Sequence, residues 1–301
     1  METSNKKICH TSKDTKEARI KMFVVVEAFR FVAWLWFLFL FVVGVILTVS
    51  FAVVDYNKVL REVFGITNTC AYFDWYPSTY VLPVLYALLP TLMLLYCMSS
   101  IFRAWISKNE NKINNGSFVC YSLTLCYFFI SLLVFAIIFA VQPDPKDPVT
   151  IQIHTLPFTN LTFAMMLMQA AIAWFNYKVA WAGTDFFRWM SIINFINLFV
   201  IIVTSIIQIL IQLNAVLFIQ TTLQIENGEI VNNGWIWYVQ DHDALNDFFT
   251  FVDITWTISV IGIPILQGGY LLYRGHDTDG LVITIEDNRT SKADIIPNEA
   301  P

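Results

Sequence analysis

The chain has 301 residues, of which 57% are hydrophobic, 16% aromatic and only 14% charged, where a soluble domain carries about 25% charged residues. That balance excludes an ordinary soluble domain, and a net charge of −5 shows no basic excess, so no nucleic-acid partner is expected. The five Cys make no paired spacing, and no CxxC, His-rich tract or phosphate-binding glycine pattern is present. No metal and no cofactor are therefore expected.

The apolar residues come in blocks long enough to cross a bilayer. The first 22 residues are polar and Lys-rich and read as a disordered cytosolic tail. Span 1 is expected over 31–54, uncharged and about 36 Å long at the helical rise. Loop 1 follows, then span 2 over 80–102, with Pro83 and Pro90 on one face and a bend expected. Span 3 is expected over 118–141, followed by the Pro-rich turn QPDPKDP. Span 4 covers 156–175 and ends among Trp174, Tyr177, Lys178 and Trp181, an interfacial belt.

Span 5 is expected over 190–213. Asn194, Asn197, Thr204, Ser205, Gln208 and Gln212 recur along it at helical spacing and make one polar stripe. A polar stripe avoids lipid and faces the bundle. Two roles remain open for it: hydrogen bonding between helices, or lining a path for polar or lipid head groups. In the loop 215–246 the dipeptide Asn227-Gly228 stands between short alternating segments, the strongest short signal for a β-hairpin. The Asp241-His242-Asp243 run reads as an exposed acidic turn. Span 6 is expected over 248–272 with Asp253 inside it, and 275–301 reads as a disordered tail.

Fifteen of the 18 Lys and Arg fall in the two tails and in the loops after spans 2 and 4; Lys58, Arg61 and Lys146 fall on the other side. The positive-inside rule then puts both termini in the cytosol and loops 1, 3 and 5 outside or in a lumen. The expected fold is an all-α polytopic membrane protein of six spans over 23–274, with short lumenal loops.

Three polar groups share that outer side. Asp74 lies in loop 1, within residues 66–78 (ITNTCAYFDWYPS). His154 lies at the outer entrance of span 4, and Asp253 lies inside span 6. An ionisable residue inside a span needs a partner or water, and His154 is the partner expected for Asp253. Such a pair can serve as base and orienting group, can hold a head group, or can fix helix packing. Cys70, the one cysteine expected in a lumenal loop, reads as a packed thiol beneath the aromatics, with an intermolecular disulfide or a reactive thiol as the alternative.

Cys70, Asp74 and Pro77-Ser78 resemble the first lumenal loop of the post-GPI-attachment-to-proteins lipid-remodelling factors. That loop runs Thr-His-Cys, three residues, Asn, two residues, Pro-Ser. Ile153-His154 with Phe158 is similar to that family's Ile-His-x-x-x-Phe, and Phe249 with Asp253 to its Phe-x-x-x-Glu. The resemblance covers about residues 23–274. It extends to a superfamily that includes the damage-regulated autophagy modulators and the yeast suppressor-of-four-kinase protein. This sequence departs from the pattern at Thr69, where the family has His, at Asp74, where it has Asn, and near Pro264, where a His is expected.

The resemblance implies fatty-acid remodelling of glycosylphosphatidylinositol (GPI) anchors at the lumenal leaflet of the endoplasmic reticulum or Golgi. It implies membrane lipids and GPI-anchored proteins as partners. His154 would be the base, Asp253 its orienting partner and Asp74 a head-group contact, while Cys70, Pro77 and Ser78 would shape the loop. The altered motifs and the other superfamily members imply an alternative: a non-enzymatic scaffold or accessory subunit in a complex with other membrane proteins, at the plasma membrane or lysosome as well as in the secretory pathway.

Overall fold

Each apolar block forms a helix, and most of the helices run past their block into polar sequence. The computed structural model describes residues 19–51, 73, 76–141, 148–179, 185–222, 224–226, 229–232, 243–274 and 280–286. Among these, six helices are long and apolar enough to cross a membrane: Ala28–Phe51, Ser78–Asn109, Asn115–Phe139, Gln152–Lys178, Ser191–Ile211 and Asp247–Tyr270. The chain is thus an all-α integral membrane protein of six spans.

Span 1 is α1 (Val26–Phe51). Span 2 is two helices, α2 (Ser78–Tyr86) and α3 (Leu88–Asn109). The break at Ala87 lies between the two prolines. Pro90 has no N–H to give to the carbonyl of Tyr86, and the helix parts there. Span 3 is α4 (Asn115–Phe135), prolonged by a 3₁₀ turn over Ala136–Phe139. Its first turn is capped by Asn114, whose Oδ1 accepts the N–H of Ser117 at 2.7 Å.

Spans 4 and 5 are α5 (Pro148–Val179) and α6 (Asp185–Thr222), both much longer than their apolar blocks. Pro148 opens α5, a position where its missing N–H costs nothing. Span 6 is α7 (Asp243–Thr257), a π-helical turn over Ile258–Gly262, and α8 (Ile263–Arg274). Pro264 stands just past the π turn. It has no N–H for the carbonyl four or five residues back, and a widened turn absorbs the defect.

Span 4 is the central helix. Of its most apolar stretch 56% is buried, against 28–39% in the other spans. It is also the least hydropathic of the six, because a helix that faces protein rather than lipid has no need of an apolar outer surface. Asn160, in a glycosylation sequon expected on the outer side, lies well inside α5, and the Tyr127 hydroxyl donates to its Oδ1 at 2.7 Å.

Two short strands, β2 (Gln224–Glu226) and β3 (Glu229–Asn232), pair antiparallel, as the Asn-Gly dipeptide predicts; Asn227 and Gly228 themselves lie outside the described residues. The terminal segments differ from expectation. They form a unit of their own, in which β1 (Arg19–Val25) pairs antiparallel with β4 (Gly280–Glu286). The register sets Ile20 against Ile285, Met22 against Ile283, Val24 against Leu281, and Arg19 against Glu286. That alternation is present in RIKMFVV and GLVITIE, but the charged sequence around both segments reads as an unstructured tail.

Candidate functional site

At the end of the bundle expected to face outward, spans 1 and 2 meet at the Pro77-Ser78 corner. Pro77 carbonyl accepts the N–H groups of Tyr80 and Val81 at 3.1 and 3.3 Å and so starts α2. Ser78 is fully buried. Its hydroxyl lies 3.0 Å from that of Thr48 and donates to Gly44 carbonyl at 3.4 Å. The corner thereby ties span 2 to span 1. Cys70 and Asp74 lie outside the described residues, but Phe73 between them is described and buried.

Phe73 is one link in a chain of ring contacts across the bundle. Phe41 of α1 meets Phe73 at 5.9 Å, Phe73 meets Phe139 at 6.2 Å, and Phe139 meets Tyr86 at 5.1 Å between ring centres. Tyr86 meets Phe135 at 5.9 Å, Phe135 meets Phe158 at 6.1 Å, and Phe158 meets Trp256 at 6.1 Å. Offset and tilted rings of this kind pack tightly and resist shear. The Tyr86 hydroxyl is satisfied by Leu132 carbonyl at 2.6 Å.

His154 sits one turn before Phe158 on α5 and is buried. Its Nδ1 is 2.8 Å from Val141 carbonyl, at the outer end of span 3. A carbonyl only accepts, so Nδ1 carries the proton. In the neutral ring Nε2 then holds the lone pair, the arrangement a base requires. Asp253 sits one turn before Trp256 on α7 and is also buried. The Phe158–Trp256 contact therefore brings the turns bearing His154 and Asp253 to one level of neighbouring spans.

The polar stripe of span 5 turns to span 6. Gln208 Nε2 donates to Asp253 Oδ1 at 2.7 Å, and Trp256 Nε1 donates to Ser205 Oγ at 2.9 Å. Asn197 Nδ2 donates to Ser259 carbonyl at 3.1 Å, and Gln267 Nε2 to Asn194 Oδ1 at 2.7 Å. Thr204 is spent within its own helix, donating to Val200 carbonyl at 2.7 Å. Gln212 lies on α6, with its side chain outside the described residues. Of the two roles open to the stripe, the bonds made by Asn194, Asn197, Ser205 and Gln208 are the interhelical one. The Asn197 bond also answers the break in span 6. Ser259 carbonyl is the one that a π register would pair with residue 264, and Pro264 has no donor. The amide of Asn197 takes that place.

The sequence paired Asp253 with His154; the structure adds Gln208, which the sequence grouped with the stripe, as a donor to Asp253 Oδ1. The sequence also missed a polar centre toward the opposite end of the bundle. Arg103, counted as a flanking residue of span 2, lies inside α3 and is buried. Its guanidinium carbon is 5.2 Å from the centre of the Phe175 ring. Phe175 stacks on Tyr121 at 4.8 Å, and the Tyr121 hydroxyl is 3.1 Å from Ser100 Oγ. The aliphatic stem of an arginine packs like an apolar side chain while its head meets an aromatic face, which is how a charge in the last turns of a span is accommodated.

Fold and site together define a six-span helical membrane protein with a buried polar seam between spans 5 and 6 and a buried histidine on span 4. No family model matches the chain, and neither does any curated protein or solved structure.

Proposed function

We propose that the protein acts on lipids at the lumenal leaflet of the endoplasmic reticulum or Golgi, in the remodelling of GPI-anchor lipids. One observation carries the reading. A buried histidine, its ring held by Val141 carbonyl in a base-competent tautomer, and a buried carboxylate occupy one level of neighbouring spans. Both belong to the motifs that resemble the lipid-remodelling factors. In this reading His154 takes a proton from the attacking group, and Asp253 orients polar groups around it. Ser78 and Pro77 set the shape of the loop, and Asp74 meets the head group.

A second reading is supported by the hydrogen bonds of span 5. If the polar seam does no more than lock spans 5 and 6, the protein is a scaffold or accessory subunit for other membrane proteins, in a lipid-transfer or signalling complex. The test is the acyl composition of GPI-anchored proteins from null cells. Remodelling predicts altered anchor lipids, reproduced by His154→Ala at a normal protein level. Unaltered anchors, with the protein co-purifying with a second membrane complex, would leave the scaffold reading standing.

A further inference from the structure

The seam has a surplus of oxygen atoms at its outer end. Gln208 spends its amide N–H on Asp253, and its Oε1 is buried with no hydrogen-bond partner. Thr257 Oγ1 is buried and unpartnered as well, on the helix turn directly after Asp253. Thr155 Oγ1 is in the same condition, beside His154 and less than one turn before Phe158. Gln208 is 6% exposed and Thr155 4%. Buried polar atoms are usually satisfied; others without a partner lie elsewhere in the bundle, but these three are oxygens on three spans, within about one turn of the Phe158–Trp256 contact and beside a buried carboxylate.

The chemistry of the set is one-sided. A carboxylate and an amide oxygen only accept, and the two hydroxyls present lone pairs as well as protons. A phosphate would meet oxygen with oxygen. A group that brings positive charge and donors, or that coordinates oxygen directly, would satisfy all of them at once. Asp253 supplies the charge that holds such a group inside a span.

We propose that Gln208, Asp253, Thr257 and Thr155 form a binding site for a small cationic group inside the outer leaflet. An alkali ion and the primary ammonium of a lipid head group share this chemistry. The site uses Asp253 but is independent of whether anchor remodelling occurs there, and it is read by binding rather than by anchor composition.

The test uses the full chain in lipid nanodiscs and thermal unfolding. One arm compares NaCl with choline chloride at equal ionic strength in phosphatidylcholine discs, since choline offers neither a bare ion nor an N–H. The other replaces part of the phosphatidylcholine with phosphatidylethanolamine, which adds N–H donors to the same phosphate. Binding predicts a rise in Tm of about 3 °C or more in one arm. The first arm identifies the alkali ion and the second the lipid ammonium.

Gln208→Leu removes the orphan oxygen and should abolish the shift. If Gln208→Leu does not fold, Thr257→Val, which swaps a hydroxyl for a methyl, should at least halve it. No shift in either arm for the unaltered protein, or an undiminished shift in a folded variant, overturns the proposal.

Discussion

Span 6 is held on its two sides by opposite means. Toward span 5 it presents polar atoms, and four hydrogen bonds from Gln208–Asp253 to Asn194–Gln267 run along the seam. Toward span 1 it presents almost nothing. Gly268 faces Phe31, and a Cβ at Gly268 would lie 2.7 Å from the Phe31 Cβ and 3.2 Å from its Cα. Lipid is as apolar as leucine, so burial alone does not drive helices together in a membrane. Close backbone approach and interhelical hydrogen bonds are the two remaining devices. One helix uses both, one on each side, and they should fail differently. A small-residue contact tolerates no added volume, whereas a seam of separate bonds loses its strength piece by piece.

The largest effect is therefore expected at the glycine. Gly268→Val adds branched carbon where the nearest atoms include the Phe31 backbone, which no rotamer change can move. Overpacking costs about 1–3 kcal/mol in ordinary cores, and a clash against backbone should reach the upper part of that range. Unfolding titrations in mixed micelles should show it. A companion substitution at Gly116, where the nearest side-chain atom is 3.7 Å away, should be tolerated much better. Equal losses at the two glycines would mean that helix propensity, not the contact with span 1, sets the cost.

The next effect belongs to the repaired carbonyl. Asn197→Leu keeps the branching and number of heavy atoms but withdraws the donor from Ser259 carbonyl, opposite Pro264. A buried acceptor left without a partner costs about 1–3 kcal/mol. The sharper prediction is a rescue. Pro264→Ala restores a backbone N–H to the helix, so Asn197→Leu should cost clearly less in that background. Additive losses from the two substitutions would show that the amide does not stand in for the missing N–H.

These residues also mark what the sequence made readable. The six spans follow from block length and charge, because lipid imposes a simple rule on any helix that crosses it. The stripe on span 5 was readable for the same reason, since Asn194, Asn197, Thr204, Ser205 and Gln208 recur at helical spacing in an apolar field. Its partners were not. Trp256 and Gln267 look like ordinary interfacial or isolated polar residues until span 6 is rotated against span 5, and Ser259 takes part through its carbonyl, which every residue has. Pro264 was visible, but as a departure from a motif rather than as the cause of a π turn. The helix ends were underestimated, because α3, α5 and α6 continue through polar sequence that hydropathy discards. That is why Arg103 read as a flank and not as a buried partner of Phe175. Gly268-Gly269 carried a signal, a pair of small residues in a span, that periodicity of large residues passes over.

The smallest effect is expected from a single bond of the seam, and it tests whether the seam is additive. Trp256 donates to Ser205 at 2.9 Å while its ring also packs on Phe158. Trp256→Phe keeps an aromatic face and removes the donor; Ser205→Ala removes the acceptor and little else. Hydrogen bonds between membrane helices average about 0.6 kcal/mol in double-mutant cycles, because the separated helices find other partners for the same groups. The cycle through both substitutions should return a coupling of about that size. Gln208–Asp253, less than one helical turn away on each helix, is close enough to communicate. If the Ser205–Trp256 coupling grows when Gln208→Leu is present, the seam shares its load and behaves as one cooperative unit. If it is unchanged, the four bonds act separately, and the rigidity of the site is owed to the ring contacts from Phe41 to Trp256 and to the close fit of Gly268 against Phe31.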